Sequence, residues 1–245
     1  MTDNPIDREV EHEGRMVRIP PDMPKAMQYN LPKTRAGLPI PFFVEYIDGK
    51  PDFRVMSSTN MERAMRSNLC WVCGRKLTRS TGTFVVGPMC VVNQVSAEPP
   101  SHFPCAKWST QACPFLNQPL KTRRETHLPD GYVEPSGIMI ARNPGVSALV
   151  TTHEWDVFEP DPRQKGVLWR FKIEQVVWMA RGREATAEEV WESVETGVDA
   201  LIEVADQQAG ARLALASEMT TAIKRWLPER PAGDYPRIDA ALGAT

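Results

Sequence analysis

The stretch Cys70-Trp71-Val72-Cys73-Gly74-Arg75-Lys76-Leu77, followed by Thr83-Phe84-Val85-Val86-Gly87-Pro88-Met89-Cys90, then His102-Phe103-Pro104-Cys105 and finally Cys113-Pro114, holds all 5 cysteines of the 245-residue chain. A Cys-x-x-Cys-Gly turn sets two thiolates on one side of a tight loop. Gly74 permits the left-handed backbone that turns amide N–H groups towards the sulfurs. An apolar β-like run then returns the chain to Gly87-Pro88-Met89-Cys90, where Pro88 is placed to open a helical turn bearing a third thiolate. Three residues further on stands Asn93, and an amide is a poor zinc ligand. His102 and Cys105, three apart and so on one helical turn, are better sources of the fourth donor, and Cys113 is a further one.

The candidate metal ligands are therefore Cys70, Cys73, Cys90, His102, Cys105 and Cys113. A closed tetrahedral zinc site needs only four donors, and the sequence leaves open which four serve. Cys113, ahead of Pro114, Phe115 and Leu116, reads better as a small buried hydrophobe than as a ligand. The odd cysteine count and its clustering argue against a disulfide framework, which uses an even number spread across the fold. Zinc is the expected cofactor. An iron–sulfur cluster is the alternative, because four thiolates can be drawn from the five and ligand softness alone does not separate the two. Structural zinc contributes about 10–16 kcal/mol of apparent folding energy in small modules, as much as the usual net stability of a domain. The first role of the cluster is then that of a staple.

Outward from the cluster the chain reads as α+β, with small antiparallel sheets around a metal-binding cysteine module and helices at the C-terminal end. Residues 1–40 are polar and rich in proline and are expected to form a flexible arm, with residues 41–125 as the metal module and 126–245 as an α+β portion ending in two helices. Phe42–Ile47 and Phe53–Met56 flank Asp48-Gly49, a hairpin signal. Ser57-Ser58-Thr59-Asn60 offers helix caps ahead of Met61–Arg66. Further β-like runs lie at Ile138–Ala141, Ser147–Thr152, Val167–Phe171 and Gln175–Trp178, with turns at Asn143-Pro144-Gly145 and Arg181-Gly182. Thr186-Ala187-Glu188-Glu189 fits a capping box for one helix running through Val204, and a second helix spans Ala211 to Leu227, stopped by Pro228.

The knuckle, apolar run and helix-borne ligand resemble a treble-clef zinc finger. More widely, the chain resembles a family of uncharacterised proteins from high-GC actinobacteria and their phages. The likeness rests on Cys70–Gly74, Gly87–Cys90, Glu98-Pro99-Pro100, His102, Cys105 and Cys113–Leu116, and more weakly on Asn143–Val146 and Gly182–Thr186. This resemblance implies a phage or mobile-element association and no particular activity.

Charge narrows the function. Lys and Arg total 29 against 31 Asp and Glu, a formal net charge of -2, so nucleic acid would be met by a local face rather than the whole surface. Arg75 and Lys76 in the first turn, with Lys121, Arg123 and Arg124 beyond the cysteines, could supply such a face. No apolar run is long enough for a membrane span, and the acidic N-terminus is not a secretion signal, so the expected location is cytoplasmic. Phosphate-binding glycine loops, a His-Glu-x-x-His pair and a Gly-x-Ser-x-Gly elbow are missing from the sequence. The cysteines also fall in the wrong order for a nucleobase deaminase. His153, Glu154 and Asp156 are weak acid–base candidates. The expected function is a zinc-stapled binding or accessory protein with nucleic acid or a protein as partner; the alternative is a metal-dependent enzyme or iron–sulfur protein.

Overall fold

The computed structural model describes residues 8–12, 15–78, 81–118, 143–160 and 166–243. Strands β1 (Arg8–His12) and β2 (Arg15–Ile19) form an antiparallel hairpin, and a short helix α1 (Lys25–Asn30) follows Pro24. The described residues of the proline-rich segment, 8–12 and 15–40, thus carry regular structure where the sequence predicts a flexible arm. Met23, Met27 and Leu31, spaced by four, turn one apolar face inwards with Val17, Ile19 and Leu38. They pack on Cys70, Val72, Cys73, Leu77, Cys105 and Trp108. A helix of six residues is too short to stand out as a period in the sequence.

Strands β3 (Val44–Ile47) and β4 (Lys50–Met56) form the expected hairpin, its turn made by Asp48 and Gly49 at φ 49° and 75°. Both central residues are left-handed, as this type of two-residue hairpin turn requires. Helix α2 (Ser58–Ser67) starts where the capping residues indicate: the Ser57 hydroxyl accepts a bond from the Asn60 N–H at 3.4 Å. It ends at Asn68, whose φ of 52° turns the chain into the knuckle.

The chain then runs through β5 (Gly82–Val86), α3 (Pro88–Asn93), β6 (Val95–Ser96), α4 (Phe103–Ala112) and α5 (Pro114–Asn117). After residues 119–142 come β7 (Ser147–Thr152), β8 (Trp155–Phe158), β9 (Leu168–Phe171), β10 (Gln175–Ala180) and β11 (Arg183–Glu184). The central sheet has the order β11-β10-β7-β5, all antiparallel, with Phe84 opposite Val150 and Val150 opposite Val176. Alternation divides its side chains. Phe84, Val86, Ala148, Val150, Trp178 and Ala180 enter the main core, whereas Leu149 and Met179 pack with Ala106 of α4. A smaller sheet, β6-β9-β8, adds Trp169 and Phe171 to the main core, and Phe171 stacks on Phe84 at 4.7 Å between centroids. The expected strand at 138–141 lies outside the described residues.

Four helices close the C-terminal portion where the sequence predicts two: α6 (Ala187–Gly197), α7 (Asp199–Asp206), α8 (Ala211–Arg225) and α9 (Pro236–Ala241). The capping box is present, with Thr186 and Glu189 each accepting from the other's backbone N–H. The break after Gly197 is hidden in the sequence because the apolar stripe of Val190, Val194, Val198, Leu201 and Ile202 continues through it. No helix among the described residues is long and apolar enough to cross a membrane.

Candidate metal centre

The knuckle is held by backbone bonds before any metal is considered. Leu69 bridges Lys76, the Cys70 N–H donates to the Arg75 carbonyl at 2.8 Å, and the Gly74 N–H donates to the Cys70 carbonyl at 2.8 Å. Gly74 sits at φ +68°, and a Cβ there would stand 2.7 Å from Phe42 Cδ2. Glycine is therefore required twice, for backbone conformation and for the ring packed against it. Gly74→Ala is expected to cost about 1–3 kcal/mol of stability, measured by denaturant titration of the metal-loaded protein; a change within error would show that Phe42 yields freely.

The second half of the site is the start of α4. His102 is its N-cap and Cys105 lies in its first turn, with Pro104 fixing the helical φ between them. The Trp71 backbone N–H donates to the Pro100 carbonyl at 3.1 Å, and Ser101 exchanges both backbone bonds with Thr83 at 2.8 Å. These bonds tie the approach to α4 to the knuckle on one side and to β5 on the other.

Together the two halves place Cys70, Cys73, His102 and Cys105 with all four ligand atoms within 4.8 Å of one another. The three sulfur residues are buried and His102 is partly so. Bonds of about 2.0–2.3 Å to a tetrahedral ion separate its ligands by roughly 3.3–3.8 Å, so the four donors fit one ion. His102 Nδ1 lies 3.4 Å from Cys73 Sγ, while Nε2 lies 3.2 Å from the Lys76 carbonyl oxygen. With Nε2–H donating to that carbonyl, Nδ1 keeps its lone pair for a metal, the arrangement expected of a ligating histidine. Cys70 Sγ accepts the N–H groups of Cys73 at 3.4 Å and of His102 at 3.3 Å, which favours its thiolate.

Proton affinities in the cluster carry the same chemistry. Burial opposes a charge on Cys70, yet hydrogen bonds from Cys105, Cys73 and His102 outweigh it and hold that thiol well below its ordinary range. The hydrogen bonds to Cys70 and Cys73 push His102 up to about 10, and push the Cys105 thiol upwards as well. Without a cation, the charge on Cys70 is favoured beside protons held on His102 and Cys105. A divalent ion can replace those protons, and this is how the residues present fit a metal. Cys70, Cys73, His102 and Cys105 can hold a metal ion.

Cys90 and Cys113 stand apart from this group. Pro88 does open α3, as its position indicates, but β5 belongs to the central sheet and delivers α3 to the main core. Cys90 packs there, and burial pushes its thiol up to about 11, away from the thiolate that a metal takes. Cys113 joins α4 to α5, its N–H donating to the Ser109 carbonyl at 2.9 Å and its own carbonyl accepting from Leu116 and Asn117. Cys90→Ser is expected to leave the metal content unchanged, by mass spectrometry of the purified variant; loss of the metal would bring Cys90 back into the ligand set.

Arg75 and Lys76 are exposed on the knuckle beside the centre, whereas Lys121, Arg123 and Arg124 lie outside the described residues. His153 is exposed and pairs with Glu174 at 2.5 Å; Glu154 pairs with Lys172 and Asp156 with Arg170. These are exposed ion pairs, and none of the three residues joins the metal-ligating group found among the described residues. The Lys76 carbonyl that orients His102 is a partner no side-chain pattern could have announced. Comparison with protein-family models, with curated proteins and with solved structures found no match.

Proposed function

We propose that the protein is a zinc-stapled binding or accessory protein of the cytoplasm, with Cys70, Cys73, His102 and Cys105 as the zinc ligands and nucleic acid or a protein as its partner. The observation that carries this reading is the completeness of the donor set: four side chains, three of them buried sulfur ligands, converge within 4.8 Å. Four protein donors fill a tetrahedral zinc, whereas a catalytic zinc keeps one position for water or substrate. That weighs against the metal-dependent enzyme. The tight spacing also favours a single ion over an iron–sulfur cluster, whose ligands are spread around two or more irons.

In this reading the centre works in the manner of a treble clef, with the knuckle giving one ligand pair and the start of α4, rather than α3, giving the other. The chain segments it ties together are the N-terminal hairpin and α1, the knuckle, and a helix seated on the central sheet. The test is metal content by plasma mass spectrometry on protein purified without oxygen, alongside the visible spectrum. About one zinc per chain and a colourless solution supports the staple. Iron with sulfide and a brown colour overturns it in favour of a redox or sensing role, and protein without metal leaves the four residues as buried core.

A further inference from the structure

Beside the metal knuckle the surface carries a groove made of two adjoining cavities. One, of about 680 Å³, is lined among others by Lys33, Arg35, Tyr46 and Lys50. The other, of about 400 Å³, is lined among others by Phe42, Asn60, Arg63 and Arg75. Both share Pro32, Ile40 and Tyr46, so they form one path from the β3–β4 turn to the knuckle.

The groove is charged unlike the rest of the molecule. Five cations line it, Lys33, Arg35, Lys50, Arg63 and Arg75, against the single carboxylate of Glu11. The chain as a whole carries -2. All five are exposed, and none makes an ion pair among the described residues. Elsewhere on the surface arginines and lysines are commonly matched: Arg54 with Asp52, Lys172 with Glu154, Arg183 with Glu189, Arg212 with Asp206. A row of unmatched cations along a concave surface is an arrangement that attracts a chain of anions.

Aromatic groups accompany the charge. Tyr46 is 45% exposed and borders both cavities. The Arg63 guanidinium lies over the Phe42 ring at 5.1 Å and donates to Asn60 Oδ1 at 2.8 Å, which presents it as a flat, oriented plate. Basic residues tracking a backbone, with an exposed ring on which a base stacks, are the elements of single-strand recognition. A duplex keeps its bases stacked inside and would leave Tyr46 without a base to meet.

We propose that this groove binds single-stranded nucleic acid, its phosphates met by Lys33, Arg35, Lys50, Arg63 and Arg75 and a base stacked on Tyr46. The proposal rests on the stapled-module reading to the extent that Cys73, Gly74 and Arg75 form one wall of the groove.

The test is fluorescence anisotropy of the full-length, metal-loaded protein with a labelled oligothymidylate, its RNA counterpart and a duplex of equal length, over a salt series. Single strands are expected to bind more tightly than the duplex. Five phosphate contacts set a slope of log K against log salt near about -3.5. Removing three with Lys33→Ala, Arg35→Ala and Lys50→Ala, all exposed, should flatten it to about -1.4. Tyr46→Ala should weaken binding by about 5- to 150-fold, and Tyr46→Phe should restore it. Absence of binding, equal affinity for duplex or for polyglutamate, or indifference to these variants overturns the proposal. Metal content measured on the same samples separates the two readings. Zinc-loaded protein that does not bind sinks the groove alone, while metal-free protein that binds with the expected variant pattern sinks the staple alone.

Discussion

Stripping the metal from the Cys70–Cys73–His102–Cys105 centre is expected to unfold residues 15–40, the knuckle and the start of α4 while the C-terminal helices persist. The energy at stake is large. Structural zinc centres contribute about 10–16 kcal/mol, against a net domain stability of about 5–15 kcal/mol. The three sulfur donors sit in a cluster of their own, with Val17, Ile19, Met27, Leu31, Val72, Leu77 and Trp108, distinct from the main core around Phe84, Trp169 and Trp191. Without the ion, three buried sulfurs and a half-buried imidazole lose the cation that would hold them together. Amide exchange after chelation should therefore become fast across residues 15–40 and 69–78 and at the start of α4, and stay slow in α6 and α8. Cys105→Ser should act in the same direction as chelation. Metal affinity should also fall as the pH is lowered, since protons compete for the same donors. A chelated protein whose stability lies within about 1 kcal/mol of the loaded form would mean that the metal is not a staple at all.

Trp191→Ala is expected to give the second largest loss, about 3–5 kcal/mol. Trp191 is fully buried in α6 and its ring lies 5.2 Å from that of Tyr235. The Arg230 guanidinium covers its face at 5.2 Å, and its Nε1–H donates to the Pro228 carbonyl at 3.1 Å. One side chain thus anchors the linker between α8 and α9 as well as filling the core. Truncation leaves a cavity and a carbonyl without its donor, two costs that add. Urea titration of the metal-loaded protein measures it, with Leu213→Ala as the control. Leu213 is 80% exposed, so its truncation should stay within about 0.5 kcal/mol. Equal losses in the two variants would show that the helical layer does not pack as described.

Features set by neighbouring residues were legible in the sequence. The Asp48-Gly49 turn, the Ser57 cap, the Thr186–Glu189 capping box and the knuckle all depend on groups within a few positions of one another, and all are present. The α+β class followed from the same local signals. His102 and Cys105 were legible as a pair because three residues make one helical turn. Which donors join them was not. Cys90 follows Gly87-Pro88 just as a helix-borne ligand would, and only the pairing of β5 with β7, more than sixty residues away, carries it to the other core. The packing of residues 15–40 was not legible for a related reason. Their few apolar side chains look insufficient alone, and become a layer only when laid against the cysteines and Trp108. Nor did the groove announce itself, since Lys33, Lys50 and Arg75 form no run in the sequence. Of the basic residues noted beforehand, Arg75 lines that groove, while Lys76 lends its carbonyl to His102.

The strand order of the central sheet has a consequence for synthesis on the ribosome. β5 precedes β7, its neighbour in the sheet, by a long stretch of chain, so it emerges before that partner strand exists. All four metal donors have been translated by Cys105, before any of β7 exists. At about 5–20 residues per second, the distance from Cys105 to the end of β7 takes about 2–9 s. During that interval the knuckle, Ser101 and the first turn of α4 can already close around an ion, and Ser101 pairs with Thr83 of β5. Nascent chains made under metal starvation would expose that strand for longer, and aggregation during expression would then report metal supply as much as folding.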